Sequence, residues 1–554
     1  MHHFNAVVFA FLASTVVAGR TPPSENLPVV DLGYELYRAT EFNQTRGYYN
    51  FSNIRYASPP LGDLRFRAPV LPATNRSVIQ DGSVTRICPQ ATPSWLVEAG
   101  VWAFPYIVSG TIPNITYSLT TPNNDSLPIT RDPRENEDCL FLDVMVPKKV
   151  FENAGPGAKA PVMVYIYGGG YTAGTKSEID PVGLMARSRD HSPNGVIYVG
   201  MNYRLGAFGF LSGPTFQKDG TANAGLYDQR LALEWVQTNI HLFGGDKTRV
   251  TVFGGSAGAG STMHQITAFG GLKSPPFQQL ILQSPGWTPR PGPDQQDNYF
   301  RTFLANANAS DLAELRKLPS DVLMYANALQ VVRSPYGTFT FGPTIDGKFV
   351  TQDPRTLLNQ GRFPKSLKAL VAHNRDEGIG FSPPSSSNAL YLDLIKSILP
   401  RADRSVIDLM VDDFYPPIFD GSELYHDQIA RAALTVTEST FSCKSFSVGS
   451  TFSHSFGYVF DVFPATHGFD SQYVFYDPET SSALNLTIAY AIQDYITTFA
   501  VGGVPRSSVD GLLGFPSYGK KGNVVILSDT GISTTTDPAA NERCKWWNLD
   551  LSAY

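Results

Sequence analysis

The sequence carries no excess of positive charge, no internal repeat and no low-complexity linker. Its 554 residues include 43 Lys and Arg against 49 Asp and Glu, which gives a net charge of −6. Without a basic excess to neutralise phosphates, nucleic acid is not an expected partner. No run of like charge reaches the length of an interaction tail. Hydrophobic residues make up 42% and aromatic residues 12% of the chain, which excludes a mainly disordered protein and allows a large core.

The N-terminus contains an apolar run, residues 6–17, that is shorter than the roughly 20 residues needed to cross a bilayer. Small residues follow it, and Val16 and Ala18 suit the positions before a cleavage. We predict a secretory signal peptide over residues 1–18, although the short segment before the apolar run has no Lys or Arg. Residues 19–554 are expected to form one domain of a secreted protein. No later apolar run is long enough to span a membrane.

Sequons and cysteines agree with secretion. The Asn-x-Ser/Thr sequons, which predict N-linked glycans, lie at Asn43, Asn50, Asn75, Asn114, Asn124, Asn308 and Asn485. The chain has only four cysteines, and an even number in a secreted protein suggests two disulfides with three possible connectivities. Of these we predict the sequential pairing, Cys88 with Cys139 and Cys443 with Cys544.

Short β-branched or aromatic runs alternate with helical stretches along most of the chain. The runs are residues 161–167, 195–203, 250–253, 279–284, 368–373 and 455–463. This alternation predicts an α/β fold with a large, mainly parallel sheet covered by helices on both faces. Ligands bind such sheets beyond the carboxyl ends of the strands.

The region before Cys139 is different, because it is rich in Pro, Asn and Thr. We expect irregular and short antiparallel structure there. Within it, residues 94–108 are strongly apolar and include Trp95, Trp102, Phe104 and Tyr106. This segment either packs on the core or forms a lid or wall over a substrate pocket.

Residues 254–258 match the pattern G-x-S-x-G, with Ser256 at the centre. The pattern alone is common, but here a strand-like run precedes it and an Ala-rich helical segment follows. Strand, turn and helix in this order form a nucleophile elbow, in which small neighbours permit a strained turn. Ser256 is therefore the predicted nucleophile.

A run of three glycines, residues 168–170, follows the strand-like segment 161–167. Glycines at the end of a strand allow backbone N–H groups to approach a substrate oxygen closely. We predict an oxyanion hole formed by the N–H groups of Gly169, Gly170 and Ala257. A phosphate-binding loop is not supported, because the full glycine-rich phosphate motifs are absent.

A serine nucleophile needs a base, normally histidine, that a carboxylate orients. In a fold with this elbow the chain order is Ser, acid, His. His426 falls in a helical stretch and His454 precedes a strand, whereas His467 follows a strand and is the predicted base. The acid lies just after the strand at 368–373, and position alone leaves Asp376 and Glu377 as alternatives.

Taken together, these segments resemble the type-B carboxylesterase/lipase family, which includes the cholinesterases, and are similar to its secreted fungal members. The matching segments are residues 51–69, 136–144, 165–171, 202–211, 225–246, 250–261, 375–381 and 465–470. The resemblance implies the α/β-hydrolase fold and a catalytic triad of Ser256, Glu377 and His467, so that Glu377 is selected over Asp376. It also implies the same oxyanion hole, the sequential disulfides and an ion pair between Arg65 and Glu137.

One departure from the family is Gly255, because cholinesterases have Glu immediately before the nucleophile. Its absence argues against choline esters and favours uncharged carboxylic esters, whether small molecules or lipids. The expected protein is thus a secreted serine ester hydrolase that forms an acyl-enzyme and needs no metal or organic cofactor. The alternatives are a lipase with an interfacial lid between Cys88 and Cys139 and, on the same fold, a non-catalytic binding module. A peptidase is possible in principle, but nothing in the sequence indicates a peptide-binding groove.

Overall fold

The computed structural model describes residues 26–112, 131–287, 292–481, 485–549 and 551. The predicted signal peptide lies outside these residues. Two sheets are present among them. The strands are β1 (Val29–Asp31), β2 (Leu36–Arg38), β3 (Glu41–Asn43), β4 (Tyr48–Arg55), β5 (Ile79–Gln80), β6 (Phe141–Pro147), β7 (Ala160–Ile166), β8 (Ile197–Met201), β9 (Gly245–Gly255), β10 (Gln279–Gln283), β11 (Lys368–Asn374), β12 (Ser455–Asp461), β13 (Asn523–Ser528) and β14 (Gly531–Thr536).

Eleven strands form one sheet in the order β14-β13-β12-β11-β10-β9-β7-β8-β6-β4-β3. The strands from β13 to β8 in this order pair in parallel, and the strands at both edges pair antiparallel. Central strands such as β10 are buried at every residue, as expected where helices surround a parallel sheet. The predicted α/β class, with its large, mostly parallel sheet, is confirmed.

Helices connect the parallel strands. They are α1 (Ser94–Ser109), α2 (Lys148–Phe151), α3 (Val182–Ser188), α4 (Gly206–Phe210), α5 (Ala224–Asn239), α6 (Ala257–Ile266), α7 (Pro293–Asn306), α8 (Leu312–Leu315), α9 (Ser320–Val332), α10 (Pro354–Asn359), α11 (Asn388–Ile398), α12 (Arg404–Asp408), α13 (Gln428–Thr437), α14 (Cys443–Thr451), α15 (Ser471–Val474), α16 (Leu486–Gly502) and α17 (Glu542–Trp547). Among the described residues, none of these helices combines the length and apolar character required to cross a membrane.

The region before Cys139 fits the expectation only in part. Its strands are short, and β1 with β2 and β3 with β4 pair antiparallel. The apolar segment, however, is the regular 16-residue helix α1, which the sequence did not predict. The helix is apolar on both its buried and its exposed sides, so no amphipathic period marks it, and Pro105 inside it is normally a helix breaker.

Covalent and ionic links hold the N- and C-terminal regions to the sheet. Disulfides join Cys88 to Cys139 and Cys443 to Cys544, which is the sequential pairing. Arg65 and Glu137 form a buried, two-pronged ion pair with N–O distances of 2.9 and 2.7 Å, as the resemblance implies.

Candidate active site

Four parallel strands from the centre of the sheet end at the same edge and place the predicted site residues there. The loop with Gly169 and Gly170 follows β7, Ser256 follows β9, Glu377 follows β11 and His467 follows β12. Because parallel strands have their carboxyl ends on one edge, segments far apart in sequence meet there.

Ser256 occupies a strained turn between β9 and α6. Its φ is 55° and its ψ is −125°, a conformation that non-glycine residues rarely adopt. Gly254 and Gly258 both press against the carbonyl oxygen of Ile166, since an added Cβ would lie 2.4 and 1.9 Å from that atom. The G-x-S-x-G pattern is therefore required by close backbone contact with β7, and it aims Ser256 out of the turn.

The glycine loop after β7 lies directly against Ser256. A Cβ on Gly168 would be 3.0 Å from the Cβ of Ser256. Gly169 and Gly170 have φ values of 86° and 63°, and their N–H groups donate to no group within the described residues. The N–H of Ala257, the first residue of α6, has no partner within its helix. The loop beside the candidate nucleophile and the start of α6 thus offer three backbone donors, and an oxyanion hole requires such donors.

His467 and Glu377 are in direct contact. The Nδ1 of His467 lies 2.5 Å from Oε2 of Glu377, and Glu377 is fully buried. Asp376, the alternative left open by position, is half exposed and lies 3.3 Å from Arg375. The structure therefore places Glu377, and not Asp376, beside the imidazole.

The other two histidines considered as bases lie away from this pair. The side chain of His426 is 79% exposed, and His454 lies at the amino end of β12, opposite the edge that carries the site. Of the three, only His467 reaches the carboxylate.

The second ring nitrogen of His467 remains available. Its Nε2 is buried and has no hydrogen-bond partner within the described residues, so no hydrogen bond joins it to the Ser256 hydroxyl. Since Nδ1 faces a carboxylate and carries the proton, Nε2 presents its lone pair, as a base must. Gly286 links the Ser256 turn to His467 through Phe441. Its N–H donates to the Ser256 carbonyl (3.0 Å), and it lies against Phe441, whose ring centroid is 4.2 Å from that of the His467 imidazole.

Two residues that hold Glu377 were not found from the sequence. The hydroxyl of Ser284 and the backbone N–H of Asn374 both donate to Oε1 of Glu377, at 2.5 and 2.6 Å. Ser284 immediately follows β10 and Asn374 ends β11. Their position at the carboxyl end of a strand is the sequence feature that could have identified them.

A second buried carboxylate, Asp470, lies close to the pair. Burial, with the nearby charge of Glu377, raises its pKa to about 6, and its two oxygens accept from the side-chain amides of Gln283 and Asn374. Within the described ranges, no three His, Cys, Asp or Glu side chains form a group that could hold a metal ion.

Aromatic side chains form one wall of the site. Phe339 lies on Gly170, since an added Cβ there would meet its ring at 2.3 Å. Phe339 packs in turn on Trp95 of α1 and on Phe381, and Phe381 meets His467 edge-on. An apolar wall beside the donors suits the hydrocarbon part of an ester.

Helix α1 is pinned to this wall by the polar atoms of three aromatic side chains. The indole N–H groups of Trp95 and Trp102 donate to the Thr338 carbonyl (2.7 Å) and the Tyr336 hydroxyl (2.9 Å). The Tyr106 hydroxyl donates to Asp427 (2.9 Å). Of the four aromatic residues named in this segment, only Phe104 is exposed.

Five of the sequons lie in the described residues. Asn75, Asn308 and Asn485 are exposed, whereas Asn43 and Asn50 are half-buried on β3 and β4. Asn114 and Asn124 lie outside the described residues.

Comparison with known proteins identifies the family. The model of the carboxylesterase family matches residues 37–547. The chain is 41% identical over 550 residues to the carboxylesterase patB of Penicillium expansum, covering 96% of this chain and 97% of that protein. It is 30% identical over 431 residues to a secreted lipase of Arthroderma benhamiae, covering 74% and 82%. Among solved structures, Aspergillus niger EstA superposes with a TM-score of 0.76 at 25% identity, covering 94% of this chain and 98% of that one.

The family model, the sequence relatives and the solved structures agree on a carboxylesterase with an α/β-hydrolase sheet. The chain belongs to the carboxylesterase family and is a carboxylic ester hydrolase.

Proposed function

We propose that the protein is a secreted serine esterase that hydrolyses uncharged carboxylic esters through an acyl-enzyme. One observation carries the proposal: His467 is bound to Glu377 through Nδ1, which leaves Nε2 unpartnered at the sheet edge where the Ser256 elbow lies. A buried nitrogen without a partner is costly, and a general base is a reason to retain one.

Each site residue has a defined role in the proposed reaction. His467 removes the proton of the Ser256 hydroxyl as its oxygen attacks the ester carbonyl, while Glu377 orients the imidazole and stabilises its positive charge. The N–H groups of the glycine loop and of Ala257 stabilise the oxyanion. His467 returns the proton to the leaving alcohol, and water, activated by the same imidazole, then releases the acid from Ser256.

Covalent labelling tests the nucleophile. A fluorophosphonate probe should label the wild-type protein and the control Ser450→Ala, which removes an exposed serine on α14, but not Ser256→Ala. Circular dichroism should show all three proteins folded. Labelling that persists in folded Ser256→Ala would refute the assignment.

Gly255 supports the preference for uncharged substrates. A Cβ added to Gly255 would meet only the Gln283 carbonyl, at 4.0 Å, so crowding at the Cβ position is not what requires glycine here. Acetylcholine and its uncharged isostere 3,3-dimethylbutyl acetate separate charge from shape. We expect a higher kcat/KM for the isostere, and equal or reversed values would contradict the proposal.

A lipase is the second candidate, favoured by the outer side of α1. The exposed side chains there are Val97, Val101, Phe104 and Val108. So many exposed apolar side chains on one helix are unusual and can mark a surface that meets lipid. The pinned aromatic side chains favour a fixed wall instead of a moving lid. Rates measured across the solubility limit of a long-chain ester decide: a sharp rise above the limit supports the lipase, and a smooth saturation curve supports the esterase.

Secretion rests on the predicted signal peptide, and two disulfides and the relationship to a secreted lipase support it. Expression of the full chain in a fungal host should place the protein in the medium, and N-terminal sequencing should begin at residue 19 or 20. A protein retained in the cell with Met1 at its N-terminus would contradict this part.

A further inference from the structure

Asn374, the last residue of β11, touches both loops that carry the acid and the histidine. Its backbone N–H donates to Glu377 (2.6 Å), and its side-chain Nδ2 donates to the carbonyl of Thr466 (2.7 Å), the residue before His467. The same amide nitrogen reaches Asp470 at 3.3 Å. Asn374 is fully buried, so these contacts are shielded from water.

The side-chain oxygen of Asn374, Oδ1, is buried and has no hydrogen-bond partner within the described residues. An unpaired buried acceptor destabilises a fold. The orientation is nonetheless required, because the two groups facing Nδ2, a carbonyl and a carboxylate, only accept. The orientation that lets Nδ2 donate to Thr466 and Asp470 therefore leaves Oδ1 without a hydrogen bond within the described residues.

A buried charge pair lies directly behind Asn374. The two ring nitrogens of His373 face Oδ1 of Asp537 (2.9 Å) and the carbonyl oxygen of Asn374 (3.1 Å). Neither oxygen carries a proton, so both nitrogens donate and the ring is an imidazolium. Asp537 also accepts from the Tyr518 hydroxyl (2.5 Å) and the Ala539 N–H (2.7 Å). Asp537 follows β14, so this pair links the C-terminal segment to the end of β11.

We propose that Asn374 is a positioning residue for ester hydrolysis, which holds the Glu377 and His467 loops in register, and that the His373–Asp537 pair fixes Asn374 in turn. This inference rests on the proposed roles of Glu377 and His467. Within the described residues, no hydrogen bond or ring contact joins Asn374, His373 or Asp537 to the aromatic wall, so their loss should reduce the chemical step and leave substrate binding intact.

The expected loss of kcat follows from displacement of the His467 imidazole. A shift of about 1 Å in a catalytic group can lower the rate about 100-fold. We expect Asn374→Ala and the isosteric Asn374→Asp to lower kcat by about 10- to 100-fold with KM changed less than about two-fold.

Asn548 provides a matched control. Like Asn374 it is buried, donates through Nδ2 to a backbone carbonyl (Cys443, 2.9 Å) and leaves Oδ1 without a partner in the described chain. It lies far from the site in sequence, just after α17. Asn548→Ala should lower the melting temperature while kcat per folded molecule stays at the wild-type value.

The charge pair is tested by one single and one double variant. Asp537→Asn leaves the His373 imidazolium without its carboxylate and should lower kcat, whereas His373→Gln with Asp537→Asn restores a neutral hydrogen-bonded pair and should recover part of the loss. All variants are assayed as the full secreted enzyme on a neutral ester, with fluorophosphonate labelling and circular dichroism alongside.

The outcomes distinguish a failure of this inference from a failure of the proposed function. If folded Asn374→Ala and Asn374→Asp keep the wild-type kcat and lose only thermal stability, as the control does, Asn374 is structural and the inference is overturned. If Asp537→Asn alone keeps the wild-type kcat, the part concerning the charge pair is overturned. Failure of the wild-type enzyme to react with the probe would instead refute the proposed function.

Discussion

At the scale of single residues, the sequence predicted the groups that we propose to react more readily than it predicted the groups that hold them in place. Ser256 and His467 stand out because a strained elbow needs glycines and a base must follow a strand. Position alone could not choose between Asp376 and Glu377, because burial distinguishes them and burial depends on the whole fold. Ser284 was missed because it meets Glu377 only after β10 and β11 have aligned. Asn374 was missed because it contacts Glu377 through its backbone N–H, which every residue other than proline has, so its residue type carries no signal.

Ser284→Ala tests one of these missed residues. Its hydroxyl donates to the buried Glu377 carboxylate, and losing a hydrogen bond to a charged group costs about 2 kcal/mol, or roughly 30-fold in kcat/KM. Steady-state kinetics on a neutral ester should show this loss mainly in kcat. Ser447→Ala is the control, since its buried hydroxyl has no partner in the described residues. Equal activity of the two variants would contradict the role of Ser284.

At the scale of elements, the alternation of apolar runs was enough to predict the central strands. β7, β9, β10, β11 and β12 each overlap a predicted run, because a strand buried on both faces must be apolar throughout. Helix α1 was missed for the same reason: a helix apolar on both sides has no period to detect. The contacts that pin it, from Trp95 to Tyr106, are long-range and leave no local signal.

The disulfide between Cys443 and Cys544 ties α14, which packs on β11, to α17. The two residues are separated by 101 positions, and closing a loop of that length stabilises a fold by about 4.7 kcal/mol in the loop-entropy model. Replacing both cysteines by Ala should therefore lower the free energy of unfolding by an amount of this order, measured by urea denaturation of the secreted protein. Wild-type protein under reducing conditions should lose at least this amount, because reduction also opens the Cys88–Cys139 disulfide. An unchanged midpoint would show that the link contributes nothing.

At the scale of the whole molecule, the buried pair His373–Asp537 makes stability depend on pH. Burial alone would lower the pKa of His373, but the Asp537 carboxylate outweighs it and raises the pKa to about 9 from 6.5. The charged groups facing His373 are Asp537 and Glu377, with the Tyr518 hydroxyl behind Asp537. Because the folded-state pKa is raised, the contribution is fully present below pH 6.5 and is lost as pH rises through about 9.

The difference in unfolding free energy between the wild type and His373→Gln measures this contribution. The shift from 6.5 to about 9 corresponds to about 3 kcal/mol. Denaturation curves from pH 6 to 10 should show the wild-type advantage shrinking by this order through pH 9, while groups common to both proteins cancel. A difference that stays constant over this range would mean that His373 does not titrate there.

Glycosylation depends on the folded surface as well as on the sequon. A glycan must extend into water, so a molecule that carries one can fold only where the site stays exposed. Asn75 and its sequon residues are all exposed, and Asn308 and Asn485 are exposed as well. Asn50 lies on β4 between two paired strands, and the next two residues of its sequon, Phe51 and Ser52, are buried.

We therefore expect glycans on Asn75, Asn308 and Asn485 of the active, secreted enzyme and none on Asn50. Enzymatic deglycosylation in ¹⁸O-water converts each glycan-bearing Asn into labelled Asp, which peptide mass spectrometry locates. Asn75→Gln should reduce the intact mass by one glycan and leave the other two labelled peptides unchanged. A labelled Asn50 peptide from active enzyme would show that β4 and its neighbours tolerate a glycan, and an unlabelled Asn75 would show that exposure alone does not lead to modification.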